Sequence, residues 1–302
     1  MKRIGLIVKF HQGEATTLAL EVGQYLLRKG CGVFFEDQSA SIARSLKRLA
    51  VKLPKGSSRK ITVLSKTKLV ESVDMIIVLG GDGTLLSVAR LMQKKSVPVL
   101  GVNMGQLGFL TEVKKEETLP VLNEILESGK MTVSERTLLE VKVMRKGKTI
   151  YTGLVVNDAV VSKGAIARII EVQVGVNGRW INTIRADGVI VSTPTGSTAY
   201  SLAAGGPIVE PKMKALILTP ICAHSLTQRP LVLSDEGQIE LRLASRPGQV
   251  VLTLDGQDLV DMKEEDTVTV RQFKKHKLKL VGSPTRDYFG LLREKLKFGM
   301  KP

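Results

Sequence analysis

Residues 1–130 alternate short apolar runs with segments whose apolar positions recur every three to four residues. RIGLIVKF and DMIIVLG are nearly continuous apolar runs, the pattern of strands buried on both faces. GVFFED and VPVLGVN read the same way. Between them, ATTLALEVGQYLLRKG has apolar residues at helical spacing and stops at Gly30. SIARSLKRLAVKL is amphipathic, TLLSVARLMQKK predicts a helix directly after DMIIVLG, and residues 116–129 predict one more. Strands alternating with helices predict a Rossmann-like parallel α/β domain with helices on both sheet faces.

Past Lys130 the period becomes two. TLLEVKVMRKGKTIYTGLVV alternates across a polar turn, and Val172, Val174 and Val176 alternate into Asn177-Gly178, a hairpin signal. LILTPI, QIELRLA, VVLTLD, TVTVRQF and KLKLV follow at short spacing without helices between them. This predicts an antiparallel β-sandwich. The fold class expected is therefore α/β plus all-β. Residues 1–130 form the first domain and 131–275 the second, and 276–302 end in a helical stretch, TRDYFGLLREKLKF, that packs back on the first domain.

Composition narrows this picture. At 302 residues and 43% hydrophobic, the chain can bury two cores. No run approaches the roughly 18 apolar residues of a membrane span, and MKRIGLIVKF lacks the long apolar region of a signal peptide. Two distant cysteines, Cys31 and Cys222, fit a reducing, cytoplasmic setting. The formal net charge of +16 calls for an anionic partner. Nine Lys or Arg and no acid lie between Ile42 and Val70, and KLPKGSSRK within that run (Lys52–Lys60, including Lys55, Arg59 and Lys60) reads as an anion-gathering loop whose ends reach the glycines that follow the strand of residues 74–79; a solvated surface is the plainer alternative. Aromatic residues make up only 4% and do not interleave with the basic runs, which argues against a nucleic-acid surface.

The chemistry concentrates in GGDGT. The strand Asp74–Leu79 delivers Gly80, Gly81, Asp82, Gly83 and Thr84 at its carboxyl end, where open α/β sheets bind ligands. Glycines permit close approach to phosphate and positive φ, and the following helix, from about Thr84, would turn N–H groups toward an anion. Gly80, Gly81, Gly83 and Thr84 form the expected phosphate cradle. An aspartate among them repels phosphate unless it binds a cation or accepts a proton; the plainer alternative is a strand–helix turn with Asp82 near the cap. Leu86 stands where a dinucleotide fingerprint needs its third glycine, and Lys142 where a Walker motif ending in Gly147-Lys148-Thr149 needs its first.

Farther along, RADGVIVSTPTGSTAYSLAAGGP (185–207) offers hydroxyls, one aromatic face and glycines, a set that suits a ribose and a flat base. VVNDAVVSK places the polar pair Asn157-Asp158 inside an apolar strand pattern, where both need partners; a β-bulge or a buried hydrogen-bond network would also explain it. LDGQD (254–258) by itself reads as a hairpin turn. His11, His224 and His276 are scattered and show no metal-ligand spacing, so no protein metal site is expected.

GGDGT (80–84), NMGQLGFL (103–110), ND (157–158), RADGVIVSTPTGSTAYSLAAGGP (185–207) and LDGQ (254–257), in this order and spacing, resemble the NAD kinase family, in its bacterial branch with Asp after the asparagine. GGDGT alone is shared with lipid kinases, which would lack the TPTGSTAY segment. The resemblance implies transfer of the ATP γ-phosphoryl, or one from another nucleoside triphosphate or polyphosphate, to the 2′-hydroxyl of the adenosine ribose of NAD. It implies Asp82 as proton acceptor with Gly83 beside it in the NAD site, and Asn157 and Asp158 on the adenosine. It places Arg168, Arg185 and Asp187 along the dinucleotide pocket. Thr198, Ala199, Tyr200, Ser201, Leu202 and Ala203 would wrap the nucleotide, with Tyr200 against a ring, and Gln257 would close the site. It further implies a divalent cation, Mg²⁺ carried with ATP, and a cytoplasmic homo-oligomer, a dimer or tetramer, with neither nucleic-acid nor membrane partners.

Overall fold

The structure, a computed structural model, describes residues 2–9, 13–54, 56–164, 168–245 and 248–297, with the side chain of Ser245 outside that set; His11 and Lys55 also lie outside the described residues. The chain divides into two compact units, residues 1–135 with 278–302, and residues 136–277.

The first unit begins β1 (Arg3–Val8), α1 (Gly13–Arg28), β2 (Gly32–Glu36), α2 (Ala40–Leu49), β3 (Ile61–Leu64), α3 (Lys66–Ser72), β4 (Met75–Gly80), α4 (Asp82–Ala89), β5 (Pro98–Asn103), β6 (Val113–Lys114), α5 (Thr118–Ser128) and β7 (Val133–Arg136). β1 pairs in parallel with β2 on one side and β4 on the other, β3 adds outside β2, and β5 adds outside β4. The order 3-2-1-4-5 reverses between β1 and β4, so a crevice opens at the carboxyl ends of those two strands. β4 is buried along its whole length, as its unbroken apolar sequence requires. Helices α1, α2 and α5 cover the sheet with Leu18, Val22, Leu26, Ile42, Leu46, Leu122 and Ile125.

The second unit contains β8 (Leu139–Arg145), β9 (Lys148–Val155), β10 (Asp158–Lys163), β11 (Ile170–Val176), β12 (Arg179–Ala186), β13 (Gly188–Ser192), α6 (Tyr200–Ala203), β14 (Ala215–Ile221), β15 (Leu231–Ser234), β16 (Gln238–Ser245), β17 (Val250–Leu254), β18 (Asp258–Met262) and β19 (Thr267–Gln272). Among the described residues these form two six-stranded antiparallel sheets, β15-β14-β13-β10-β17-β18 and β12-β11-β16-β19-β8-β9. One core joins alternate residues of both, among them Val141, Val172 and Leu241 from one sheet and Val161, Val189 and Leu252 from the other. The β-sandwich follows from that alternation. The chain then returns to the first unit as β20 (Leu278–Val281), parallel to β5, and α7 (Tyr288–Leu296). KLKLV is thus a strand of the first sheet, whose order is completed as β5-β20-β7.

The basic run 42–70 holds more than the loop expected at Lys52–Lys60. It holds most of α2, which buries Ile42, Ala43 and Leu46 and turns Arg44, Lys47 and Arg48 outward, and it also holds β3 and the start of α3. The amphipathic SIARSLKRLAVKL corresponds to α2, whereas β3 and α3 are too short for a periodicity reading. Within the run, Lys60 Nζ donates to Gly30 O at 3.0 Å, just ahead of β2. The described residues of Lys52–Lys60 therefore lie at the amino ends of the parallel strands. GGDGT stands at their carboxyl ends, a strand length or roughly 15–20 Å away. The expected reach of this loop to the glycine cradle is corrected by the sheet's polarity. Lys66, which follows β3, does come to the carboxyl side: its Nζ lies 3.2 Å from Glu36 Oε2 and 3.3 Å from Ser87 Oγ in α4. Burial pushes the Glu36 carboxyl above its ordinary value, against the pull of Lys66.

The predicted helix TLLSVARLMQKK is also shorter and earlier than its pattern suggests. α4 opens at Asp82 and closes at Ala89, and turns carry Arg90–Lys94.

Candidate active site

In the first unit the site grows out of the β4–α4 junction. Gly81 caps α4 in an extended conformation, and Thr84 N and Leu85 N bond back to its carbonyl. Asp82 is the first helical residue, where the helix dipole favours an anion. None of the cradle glycines takes positive φ, contrary to expectation. Their use is space: a Cβ on Gly80 would lie 2.7 Å from Thr84 Oγ1, whereas Gly81 faces nothing within 4 Å. Gly83 is exposed beside them.

Asp82 is half-buried and gathers the loop after β5. Its Oδ2 accepts from Phe109 N at 2.8 Å, and its Oδ1 accepts from Leu110 N at 3.1 Å, Thr111 N at 3.0 Å and Thr111 Oγ1 at 2.9 Å. Asn103 shapes the same loop, accepting from Gly105 N at 2.8 Å and donating to Gln106 O. A Cβ on Gly108 would overlap Asp82 Oδ1, so glycine is required there by the approach of the carboxylate. A carboxylate offers about four acceptor positions. Among the described residues Oδ2 carries one hydrogen bond, which leaves one of its acceptor positions unfilled. The sequence reading marked NMGQLGFL as a motif but assigned none of its residues; residues 108–111 are the cradle of Asp82 itself. A cavity of about 350 Å³ opens along the same loop, lined by Asn103, Met104, Leu107 and Lys114 with Glu14 and Glu294.

In the second unit three motifs distant in sequence converge. The chain bends at Asn157 and enters β10 at Asp158, so the polar pair sits where the strand pattern breaks, not within it. Thr193 N donates to Asn157 O at 2.9 Å, Thr193 Oγ1 to Val156 O at 2.5 Å, and Gly196 N to Thr193 Oγ1 at 3.0 Å. A side chain on Gly196 would overlap the Asn157 carbonyl. Asp255, in the β17–β18 turn, accepts from Val156 N, Asn157 N and Asp158 N at 2.9, 2.8 and 3.0 Å. The LDGQD stretch is thus a hairpin turn and also a clamp, which its sequence did not reveal. Burial, and then the charge of Asp255, push the Asp158 carboxyl up to about 7. Gln257 is exposed at the same turn.

The hydroxyl-rich segment spends most of its hydroxyls on its own fold. Ser197 Oγ bonds Pro194 O and Val209, Thr198 Oγ1 bonds Thr195 O, and Ser201 Oγ meets Thr219 Oγ1 at 2.9 Å. Ser192 Oγ and Thr195 Oγ1 are buried with no partner among the described residues. Such groups are rare in a folded interior; both belong to the hydroxyls that the sequence offered for a ribose, though neither was given a role there. Thr198, Ala199 and Leu202 are half-buried, Ala203 is exposed, and Tyr200 keeps 47% of its surface exposed.

Arg168, Arg185 and Asp187 form a different group. Asp187 pairs with Lys163 Nζ at 2.9 Å, Arg185 Nε with Glu171 at 3.1 Å, and Arg168 is exposed just before β11. Lys163 ends β10 and Asp158 begins it, which separates Lys163, the partner of Asp187, from Asp158 by roughly 17 Å along the strand at about 3.3 Å per residue. Among the described residues no group of three or more His, Cys, Asp or Glu is arranged to hold a metal ion, and no helix is long and apolar enough to cross a membrane.

Two family models match the chain, the ATP-NAD kinase N-terminal domain over residues 4–131 and the ATP-NAD kinase C-terminal domain over 156–282. The NAD kinase of Geobacter sulfurreducens is 44% identical over 299 residues, and that of Geotalea daltonii is 42% identical over 299 residues, each match covering 99% of both chains. Among solved structures, yeast NADH kinase complexed with NADH superposes with a TM-score of 0.90 at 27% identity, covering 100% of this chain and 89% of that one. An Archaeoglobus fulgidus NAD kinase in complex with ATP gives 0.68 at 25% identity, covering 97% and 99%.

Proposed function

The chain belongs to the NAD kinase family, and from that premise we infer that it phosphorylates NAD with ATP, using Asp82 as the proton acceptor. The acceptor atom is the 2′-hydroxyl of the adenosine ribose. As its oxygen bonds to the γ-phosphorus, the bond from that phosphorus to the β–γ bridging oxygen breaks, ADP leaves, and the hydroxyl proton passes to Asp82 Oδ2. The observation that carries this reading is the Asp82 carboxylate, anchored by four donors at the carboxyl end of β4 with a lone pair of Oδ2 left over. A positioned base contributes about 10²–10⁴-fold. Gly81, with open space beside it, and the N–H groups opening α4 suit the transferred phosphoryl.

The Asn157-Asp158 pair takes the adenosine, Thr195 supplies a hydroxyl to the same ligand, and Tyr200, Gln257 and the 198–203 turn close over it. The family's divalent cation is Mg²⁺ arriving on the ATP phosphates. Asp82 Oδ1 is committed to three donors, and no step here runs through the metal. A homo-oligomer, dimer or tetramer, is the assembly that the family resemblance implies. The protein acts in the cytoplasm, without nucleic-acid or membrane partners, and other nucleoside triphosphates or polyphosphate are candidate donors beside ATP.

Purified protein with NAD, Mg²⁺ and ATP should yield NADP, read by an NADP-specific dehydrogenase. The same assay with polyphosphate reads the donor range. Absence of NADP with every donor would sink the reading.

A further inference from the structure

We propose that Asp255 is a positioning residue for NAD binding, its carboxylate gathering three successive backbone N–H groups to fix the bend that presents Asn157 and Asp158. The inference rests on the assignment of that pair to the adenosine.

The bend lies past the ends of two of its ladders, while the β10–β13 ladder begins within it at Asp158 and Ser192. β9 ends its pairing with β8 at Val155, and the β10–β17 ladder starts at Ala159 and Leu254. Residues 156–158 therefore present N–H groups that no β9–β8 or β10–β17 bond takes up, in a place where Val156 is fully buried. Asp255 Oδ2 accepts from Val156, and Oδ1 from Asn157 and Asp158. The same residue's N–H donates to Asp158 O at 2.9 Å, and Thr193 holds the carbonyls of Val156 and Asn157. All six backbone polar groups of the three residues are thus accounted for, four of them by Asp255. The carboxylate itself is nearly buried, and three convergent N–H dipoles compensate its charge. With the peptide planes held, the Asn157 and Asp158 side chains are oriented before the substrate arrives, which removes an ordering cost from binding.

Asp255 also occupies a position with φ of 49°, followed by Gly256 at 63°. Asn and Gly both tolerate that conformation. A residue needed only for the turn would accept either, which separates the two roles.

The test uses the full chain with Asp255→Asn and Asp255→Gly, and Asn157→Ala alongside. Asp255→Gly keeps the turn and loses every acceptor; its KM for NAD should rise at least about tenfold, with the KM for ATP within about twofold and kcat at saturating NAD within about threefold. Asp255→Asn keeps one oxygen for Asn157 and Asp158 but turns an N–H toward Val156, so its KM for NAD should fall between wild type and Asp255→Gly. A wild-type KM for NAD in Asp255→Gly overturns the inference, because the turn alone then suffices. If Asp255→Gly does not fold, a wild-type KM for NAD in Asp255→Asn overturns it. A raised KM in Asn157→Ala beside unchanged Asp255 variants removes this inference alone. An unchanged KM in all three removes the adenosine assignment as well.

Discussion

Thr111 donates twice to Asp82, from its backbone N–H at 3.0 Å and from its hydroxyl at 2.9 Å, both to Oδ1. With Leu110 N on the same oxygen, Oδ1 is committed to holding the loop. Oδ2, with a single bond to Phe109 N, is the oxygen left for chemistry.

Asp82→Asn should fold, bind NAD with little change in KM and lose at least about 10²-fold in kcat. Thr111→Val removes one of four donors and leaves Oδ2 untouched. Its cost should appear as about 1 kcal/mol of stability in a urea melt, with kcat down by less than tenfold. Near-normal turnover in Asp82→Asn would show that the proton leaves by another route.

Thr195 offers two effects of opposite sign. Its hydroxyl is buried without a partner among the described residues, a cost the ligand-free protein carries. Thr195→Val should therefore raise the stability of the ligand-free protein by about 1 kcal/mol while increasing the KM for NAD about fivefold or more. Thermal melts with and without NAD, together with steady-state kinetics, measure both. A variant less stable and unchanged in KM would mean the hydroxyl serves the fold.

Asp158 sets a pH dependence of stability. Burial first, and Asp255 second, raise its folded value to about 7, whereas an unfolded aspartate titrates near 3.9. The folded state keeps the proton where the unfolded chain has released it, so the contribution is full below about pH 4 and is lost as pH rises through about 7. Asp158→Asn has no such proton to lose. Its stability relative to wild type should grow by roughly 2–3 kcal/mol between pH 5 and pH 8. Urea titrations at the two pH values check this, and a difference that stays constant across them would contradict it.

Arg59 and Lys60 sit at the amino ends of the sheet, with Lys60 on the Gly30 carbonyl. Changed together to Ala, they should leave the KM for ATP within about twofold and its salt dependence intact, since screening over a strand length leaves little attraction. A raised KM for ATP would return this segment to the donor site.

Much of the fold was legible because periodicity is a local property. The unbroken apolar run of β4, the helical spacing of α1, the alternation of β8 and β11 and the Asn177-Gly178 turn each declare themselves within a few residues. So does an aspartate between glycines at a strand's end, the feature that pointed to phosphate chemistry. The short elements β3 and α3 did not declare themselves, because four to seven residues with one or two buried positions carry too little period to read. What only the tertiary structure decided is which distant group each polar atom meets. Asp255 takes N–H groups 97 to 99 residues earlier in the chain, and Asp82 takes donors 27 to 29 residues later. A buried carboxylate must be satisfied, so the sequence alone requires that partners exist. Their identity depends on where strand polarity and sheet order bring loops together, and no local pattern carries that. For the same reason the charge of Lys52–Lys60 was plain in the sequence, while the end of the sheet it occupies was set by the direction of the strands around it.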